Sequence, residues 1–382
     1  METSLRQILR VGAYDLLFLA TPPHAAVHQA VEAAKQRVRP GAGGLANALL
    51  RGLQRQHEQD APPRPATGDV AEDLAIRRSH PTWMVRRWAE RLGWDETEAL
   101  LKAHNRRPTH GLRAGSLRAD DRRADPEALR SELDERGVDW RPSPWLADFT
   151  RVRRLQPVMR AGWLEEGRCV VQDESAGLAV RLLAPRPGEK VLDGCAAPGG
   201  KTGYAATLMR GRGRLLAFDR DADRLEQVRE AAQAQDFSSM LEGEAADLRA
   251  VAARDDPPQA DAVLLDVPCS GLGVLGRRAD LRWRRRPEDL DELATLQDEL
   301  LDAAARLVRP GGRLVYATCT TEPEENEDRV DAFLERHAGD FHHQPVPPPF
   351  PKAVCTPQGH LATWPHRHGT DGAFAARLRR SA

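Results

Sequence analysis

The 382 residues carry 56 Lys+Arg against 57 Asp+Glu, a formal net charge of −1, and are 41 % hydrophobic and 30 % charged. That makes the chain too long for one typical domain, too apolar to be disordered and too balanced to act as a polycation throughout. The near-zero sum hides segregation, because arginines crowd into 77–91, 106–123, 151–160 and 277–286, and patches of this kind bind phosphate even on a neutral protein.

In chain order, apolar residues at helical spacing predict helices over 4–19 and 24–38, broken by Pro22 and Pro23, and a third over 45–56. The stretches ILRVGAYDLLFL, PPHAAVHQAVEAAK and GGLANALLRGL resemble the second half of a NusB-like helical domain. The resemblance implies an all-α RNA-binding unit over 1–60, with its first helices missing. Either this domain is short or the true start lies upstream. Residues 61–75, opening on Ala-Pro-Pro-Arg-Pro, are expected to be a linker. Over 76–165, helices at 81–92, 97–104 and 126–136, an extended stretch at 111–117 and the turn Arg141–Pro144 suggest a small α+β RNA-binding module. The arginine clusters tilt this region toward an RNA-facing surface, although a charge run taken singly is as readily a solvated face.

Beyond 166 the pattern becomes apolar runs alternating with helical segments. Strands are expected at 190–193, 214–219, 262–266, 313–318 and 373–378, with helices at 202–209, 223–234, 288–308 and 324–337. This predicts a Rossmann-like α/β domain over 166–382 with a mostly parallel sheet. Ligands of such sheets sit beyond the carboxyl ends of the strands, where Asp193, the 194–201 loop, Asp219, Asp266 and Cys319 would converge.

The loop VLDGCAAPGGKT (Val191–Thr202) decides the nucleotide. It nearly spells a Walker A motif, but five residues separate Gly194 from Gly200-Lys201 where four are needed, and Pro198 removes an N–H that would cradle phosphate. No G-x-G-x-x-G follows the strand. S-adenosylmethionine fits better. Its cationic and zwitterionic end calls for a carboxylate and backbone groups, and its ribose for an acid at the end of the next strand, which Asp219 supplies 19 residues after Gly200. Asp247 has two readings, contact with the adenine amino group or a helix N-cap.

Five cysteines, an odd number without a C-x-x-C pair, point to free thiols and away from disulfides or a zinc site. Cys169 and Cys355 read as small buried residues. Cys269, in DVPCSGLG, and Cys319, in YATCTTEPEEN, both leave strands at the ligand rim. Carbon 5 of cytosine is too weak a nucleophile to take a methyl group until a nucleophile adds at carbon 6. A thiolate suits that task, and Asp266 can stabilise protonation at N3.

DGCAAPGGKT, DVPCSGLG and YATCTTEPEEN together resemble the RNA cytosine-5 methyltransferases of the NOL1/NOP2/Sun family, a likeness covering nearly the whole chain. It implies Cys319 as nucleophile, Cys269 in product release, and cofactor binding by Cys195, Ala196, Ala197, Pro198, Gly199, Gly200, Lys201, Asp219, Asp247 and Asp266. With the NusB-like start it implies small-subunit (16S) ribosomal RNA as substrate. A tRNA methyltransferase, or a silent RNA-binding assembly factor, are the alternatives. Gly194 and Gly115, in RAGSLR, depart from the family pattern. Arg282, Trp283 and Arg284, within RRADLRWRRR, are expected to contact phosphate and stack on a base, against a bland reading in which Trp283 packs inward. The target base must be unpaired or extruded. No metal is expected, the histidines of the C-terminal stretch being read as loop. A cytoplasmic monomer without membrane contact completes the expectation, since no apolar run is of spanning length and Arg6, Arg10 and Asp15 interrupt the start.

Overall fold

The computed structural model describes residues 1–59, 67–115 and 125–382, which form two compact units, Met1–Ser79 and His80–Ala382. In the first, helices Thr3–Phe18, Pro23–Arg37 and Ala42–Glu58 pack through Leu5, Ala34, Ala42 and Ala46 and through Val27, Ala30 and Leu50. Alanines let the axes approach closely. A Cβ on Gly12 would lie 2.9 Å from the Ala30 Cβ, so only glycine fits there. The expected linker 61–75 is corrected in part. Residues 60–66 lie outside the described residues, but Val70–Arg78 is a helix whose N-cap, Asp69, accepts a hydrogen bond from the Ala71 N–H.

The second unit opens with helices Thr82–Leu92 and Trp94–His104 and a four-stranded antiparallel sheet in the order β2-β3-β1-β4. Its strands are β1 His110–Ala114, β2 Trp140–Pro142, β3 Phe149–Val152 and β4 Cys169–Val171. Leu112, Leu133, Val152 and Trp163 form its core. Cys169 is buried in that core and β4 pairs with β1, so the small module runs past the expected boundary at 165.

The large sheet follows in the order β10-β12-β9-β8-β5-β6-β7, with β11 paired to β12. Strands β5 Lys190–Asp193, β6 Arg214–Asp219, β7 Leu241–Ala245, β8 Ala260–Asp266 and β9 Val308–Thr318 run parallel. Antiparallel strands β10 Phe341–His343, β11 Leu361–Thr363 and β12 Ala373–Arg380 close one edge. Near-continuous apolar runs suit strands covered on both faces, and two separate cores do cover this sheet. Sequence reasoning placed the start of β9 five residues late and missed β7. Because β6 lies on one side of β5 and β8 on the other, strand order reverses at β5, opening a crevice beyond Asp193.

Arginines tie the small module to the large sheet. Buried Arg113 donates to Gln172 Oε1 (2.8 Å) and Gln235 Oε1 (2.9 Å). Arg151 donates to Glu174, and Arg277 reaches both Asp173 and Asp371 at 2.8 Å. Much of the expected RNA-facing arginine is therefore structural, because carboxylates distant in sequence fold back to meet it. Residues 116–124, including part of one cluster, lie outside the described residues.

Candidate active site

Strand β5 ends on Asp193, whose carboxylate accepts from Thr202 Oγ1 at 2.7 Å and so pins the loop to the first turn of helix Gly200–Leu208. Burial, and then the charge of Asp266, push Asp193 up to about 6 against the Thr202 hydrogen bond. Within the loop, the Ala196 N–H donates to the Phe218 carbonyl (2.9 Å) and the Ala197 N–H to Asp219 Oδ2 (3.3 Å). Asp219 Oδ1 accepts from the Asp221 N–H. Gly199 sits at φ +96°, a conformation glycine adopts freely, with its Cα close against helix Ala222–Ala234.

Two adjoining cavities open along the strand ends. One, about 150 Å³, is lined by Gly194, Cys195, Asp219, Asp247 and Leu248, and the other, about 250 Å³, by Cys195, Asp219, Asp266, Cys269, Arg278 and Cys319. A Cβ on Gly194 would approach Leu248 to 2.8 Å, so the missing side chain keeps the floor of the first cavity in place. The helix N-cap reading of Asp247 holds. It caps helix Leu248–Ala252 by accepting from the Arg249 N–H, it pairs with the Arg249 guanidinium at 2.6 Å, and it lines the cavity.

Asp266, in the wall of the second cavity, is paired with Lys201, whose Nζ lies 2.5 Å from Asp266 Oδ2. Burial alone would lower the Lys201 pKa, but Asp266 outweighs it and holds the ammonium charged. Cys269 and Cys319 stand with sulfurs 3.1 Å apart, and the Cys319 N–H points at the Cys269 sulfur (3.3 Å). The hydrogen bond with Cys319, then burial, raise the Cys269 pKa well above the ordinary thiol range. Half-buried Cys195 is likewise held as a neutral thiol, first by desolvation and then by the charges of Asp193, Asp266 and Asp219. At Gly273, whose N–H donates to the Cys319 carbonyl, a Cβ would lie 2.0 Å from the Gly372 carbonyl oxygen and 2.8 Å from that of Cys319, so the Cys269 loop packs through bare backbone on both the Cys319 loop and the turn before β12.

The profile described as 16S rRNA methyltransferase RsmB/F matches residues 180–379, more than half the chain. The chain belongs to this RsmB/F methyltransferase family. In this RsmB/F chain, a NusB family profile covers residues 1–55 and the RsmF/B-like ferredoxin-like domain covers 80–159. It is 33 % identical over 377 residues to the probable ribosomal RNA small subunit methyltransferase B of Bacillus subtilis, spanning 98 % of this chain and 82 % of that one. To the ribosomal RNA small subunit methyltransferase B of Salmonella typhi it is 37 % identical over 335 residues, 88 % of this chain and 74 % of that one. The crystal structure of PH0851 superposes with a TM-score of 0.81 at 32 % identity, covering 98 % of this chain and 82 % of that one. NSun6 from Pyrococcus horikoshii, solved with SFG, shares the fold (TM-score 0.65, 21 % identity, covering 78 % of this chain and 97 % of that one).

S-adenosylmethionine is the cofactor of this RsmB/F fold, and the residues present suit it. The first cavity, floored over bare Gly194, offers Asp219 and Asp247 to hydroxyl and amino donors, and the second has the carboxylates of Asp219 and Asp266 in its wall, which suit a cationic group.

One expected RNA contact is corrected. Arg282 is only 5 % exposed, because its guanidinium donates to Asn105 Oδ1 (2.7 Å), the His104 carbonyl (2.8 Å) and the Leu275 carbonyl (3.3 Å). It fastens the helix before β1 to the Pro-Cys loop. Trp283 is 66 % exposed, which discards its inward-packed reading, and Arg284 beside it is exposed and pairs with Asp280 (3.4 Å). Sequence reasoning also missed Arg285, which donates to the Ser270 and Cys269 carbonyls (2.8 and 3.0 Å), and Arg278 at the cavity mouth. Both lay inside a charge run without periodicity, which gave no signal to separate them. Among the described residues, no helix is long and apolar enough to cross a membrane and no group of three or more His, Cys, Asp or Glu is placed to hold a metal.

Proposed function

We propose that this protein methylates carbon 5 of a cytosine in 16S ribosomal RNA through a covalent Cys319 adduct. The observation that carries the reading is the pair of thiols 3.1 Å apart at the ends of β8 and β9, opening on the cofactor cleft. When bound, the cofactor supplies an electrophilic methyl group. Cys195–Lys201, Asp219, Asp247 and Asp266 hold it.

The target base enters the 250 Å³ cavity, extruded from its neighbours. Cys319, as thiolate, adds to carbon 6 while N3 takes a proton through Asp266, with the Lys201 ammonium behind it as the source. Carbon 5 is then a nucleophile and takes the methyl group. Loss of the carbon 5 proton to a base and return of the N3 proton re-form the ring double bond and break the C6–S bond, freeing Cys319 as thiolate. Cys269 suits the role of that base. While Cys319 is charged, its hydrogen bond keeps Cys269 protonated. Once Cys319 becomes a thioether that hydrogen bond no longer restrains it, and Cys269 gives its own proton to solvent before taking the carbon 5 proton as a thiolate. Trp283, Arg284 and Arg278 are the surface that receives the flanking RNA.

The test is methyl transfer from labelled cofactor to isolated 16S and tRNA, with nucleoside analysis and bisulfite mapping. The expected product is 5-methylcytidine in 16S rRNA, absent with Cys319→Ala. Label in another nucleoside, or in tRNA alone, would overturn the reading.

A further inference from the structure

Glu325 stands outside the cofactor and substrate cavities, is fully buried, and organises both thiol loops. It lies on the turn Pro323–Glu325, six residues beyond Cys319, yet its carboxylate serves the Cys269 loop. Oε1 accepts from the Ser270 N–H (2.8 Å) and from Gln297 Nε2 (3.0 Å), and Oε2 accepts from Ser270 Oγ (2.5 Å). Gln297 Nε2 also donates to the Pro268 carbonyl (3.0 Å), so of the residues on either side of Cys269, Ser270 is bound to the carboxylate directly and Pro268 through Gln297. Ser270 Oγ in turn meets Thr320 Oγ1, next to Cys319, at 2.8 Å. The Glu325 carbonyl accepts from Tyr316 OH in β9 (2.6 Å), which fixes the turn to the strand that carries the nucleophile.

A buried carboxylate is costly unless its oxygens are satisfied, and every donor here comes from residues flanking the two thiols or from the helix behind them. Fold stability alone does not require this convergence, since an apolar contact would close the same space. What the network fixes is the distance between one sulfur and the other.

We propose that Glu325 is a positioning residue that sets the separation of Cys269 from Cys319, and thereby the rate at which the methylated base is released from its covalent adduct. The proposal rests on the covalent mechanism above. Adduct formation needs the Cys319 thiol and the bound cofactor, and the Glu325 carboxylate bonds to neither, reaching the cavity only through Ser270 on the Cys269 side. Release needs the carbon 5 proton to pass to Cys269 while the C6–S bond breaks and its electron pair returns to Cys319, so it depends on where Cys269 stands. Displacing the Cys269 loop slows the second half of the reaction and leaves the first.

The experiment measures protein crosslinked to 16S rRNA during turnover, on denaturing gels, for wild type, Glu325→Ala, Glu325→Gln, Ser270→Ala and Cys269→Ala, with thermal unfolding of each. The glutamine keeps an oxygen for the Ser270 and Gln297 donors and places an amide on the Ser270 hydroxyl, so it should restore near-wild-type turnover. Glu325→Ala should accumulate about ten-fold more adduct than wild type, with unchanged KM for cofactor. Ser270→Ala should fall between them, and it decides the matter if Glu325→Ala does not fold. Wild-type adduct levels in Glu325→Ala, or in Ser270→Ala where that variant decides, would overturn the proposal, as would slower methylation without adduct that tracks lost stability. Cys269→Ala is the control for the underlying mechanism. If it traps while the Glu325 and Ser270 variants do not, only the positioning role fails, and if it does not trap, both readings fall.

Discussion

Replacing Glu322 by alanine should uncouple the small module from the Cys319 loop. Glu322, three residues after Cys319, is fully buried, accepts from Trp88 Nε1 at 2.9 Å and pairs with the Arg87 guanidinium, while Arg91 stands 3.5 Å away. Truncation leaves the Trp88 N–H buried without its acceptor, at a cost of about 1–3 kcal/mol. It also removes one partner of a buried ion pair, about 3–5 kcal/mol where the remaining charge is fully enclosed. Arg87 keeps Glu324 and some solvent exposure, which discounts the second term, so the total should be about 3–5 kcal/mol. Because the same carboxylate steadies the backbone beside Cys319, kcat should fall by about ten- to a hundred-fold. Guanidinium unfolding followed by tryptophan fluorescence, together with methyl-transfer kinetics, gives both numbers. A variant within about 0.5 kcal/mol of wild type would refute the reasoning, since that is the range of a surface substitution.

Asp193 should give stability a pH dependence. Its folded pKa, raised from 3.8 to about 6, means the folded state holds an extra proton between those values, so the contribution of this group to stability is largest below pH 4, declines as pH rises to 6 and is flat above. Two units correspond to about 3 kcal/mol. Asp193→Asn should lack this decline, and urea unfolding between pH 4 and 7.5 that shows equal slopes for both proteins would contradict it. Arg282 and Trp283 should separate cleanly despite being neighbours. Arg282→Ala should cost about 2–4 kcal/mol of stability by leaving its acceptors unpaired. Trp283→Ala should leave unfolding unchanged and weaken RNA binding by about 1–3 kcal/mol in a filter or fluorescence titration.

The strands that end on Asp193, Asp219 and Asp266 were legible because each is an apolar run terminated by a carboxylate, and the parallel arrangement followed from their alternation with helices. Strand β7 was not, since Leu-Glu-Gly-Glu-Ala at a sheet edge carries one large apolar residue and looks like loop. The start of β9 was hidden by Pro310, Gly311 and Gly312, which read as a turn but lie within the strand, near where its register with β8 shifts. Both thiols could be found from the loops that hold them, yet their 3.1 Å separation could not, because it depends on Glu325 and Gly273, which local patterning does not distinguish from other residues of their types. Arginine was the least readable residue. Arg113 and Arg282 are buried by partners at Gln172, Gln235, Asn105 and His104, and a charge run in one dimension carries no mark of such partners.

The covalent step is tested most directly by incubating Cys269→Ala with 16S rRNA and S-adenosylmethionine, digesting the product and sequencing the crosslinked peptide. The account predicts a stable adduct at Cys319 carrying a methylated cytosine, and none in the Cys269→Ala/Cys319→Ala double variant. An adduct at another residue, or free 5-methylcytidine produced without Cys319, would contradict it.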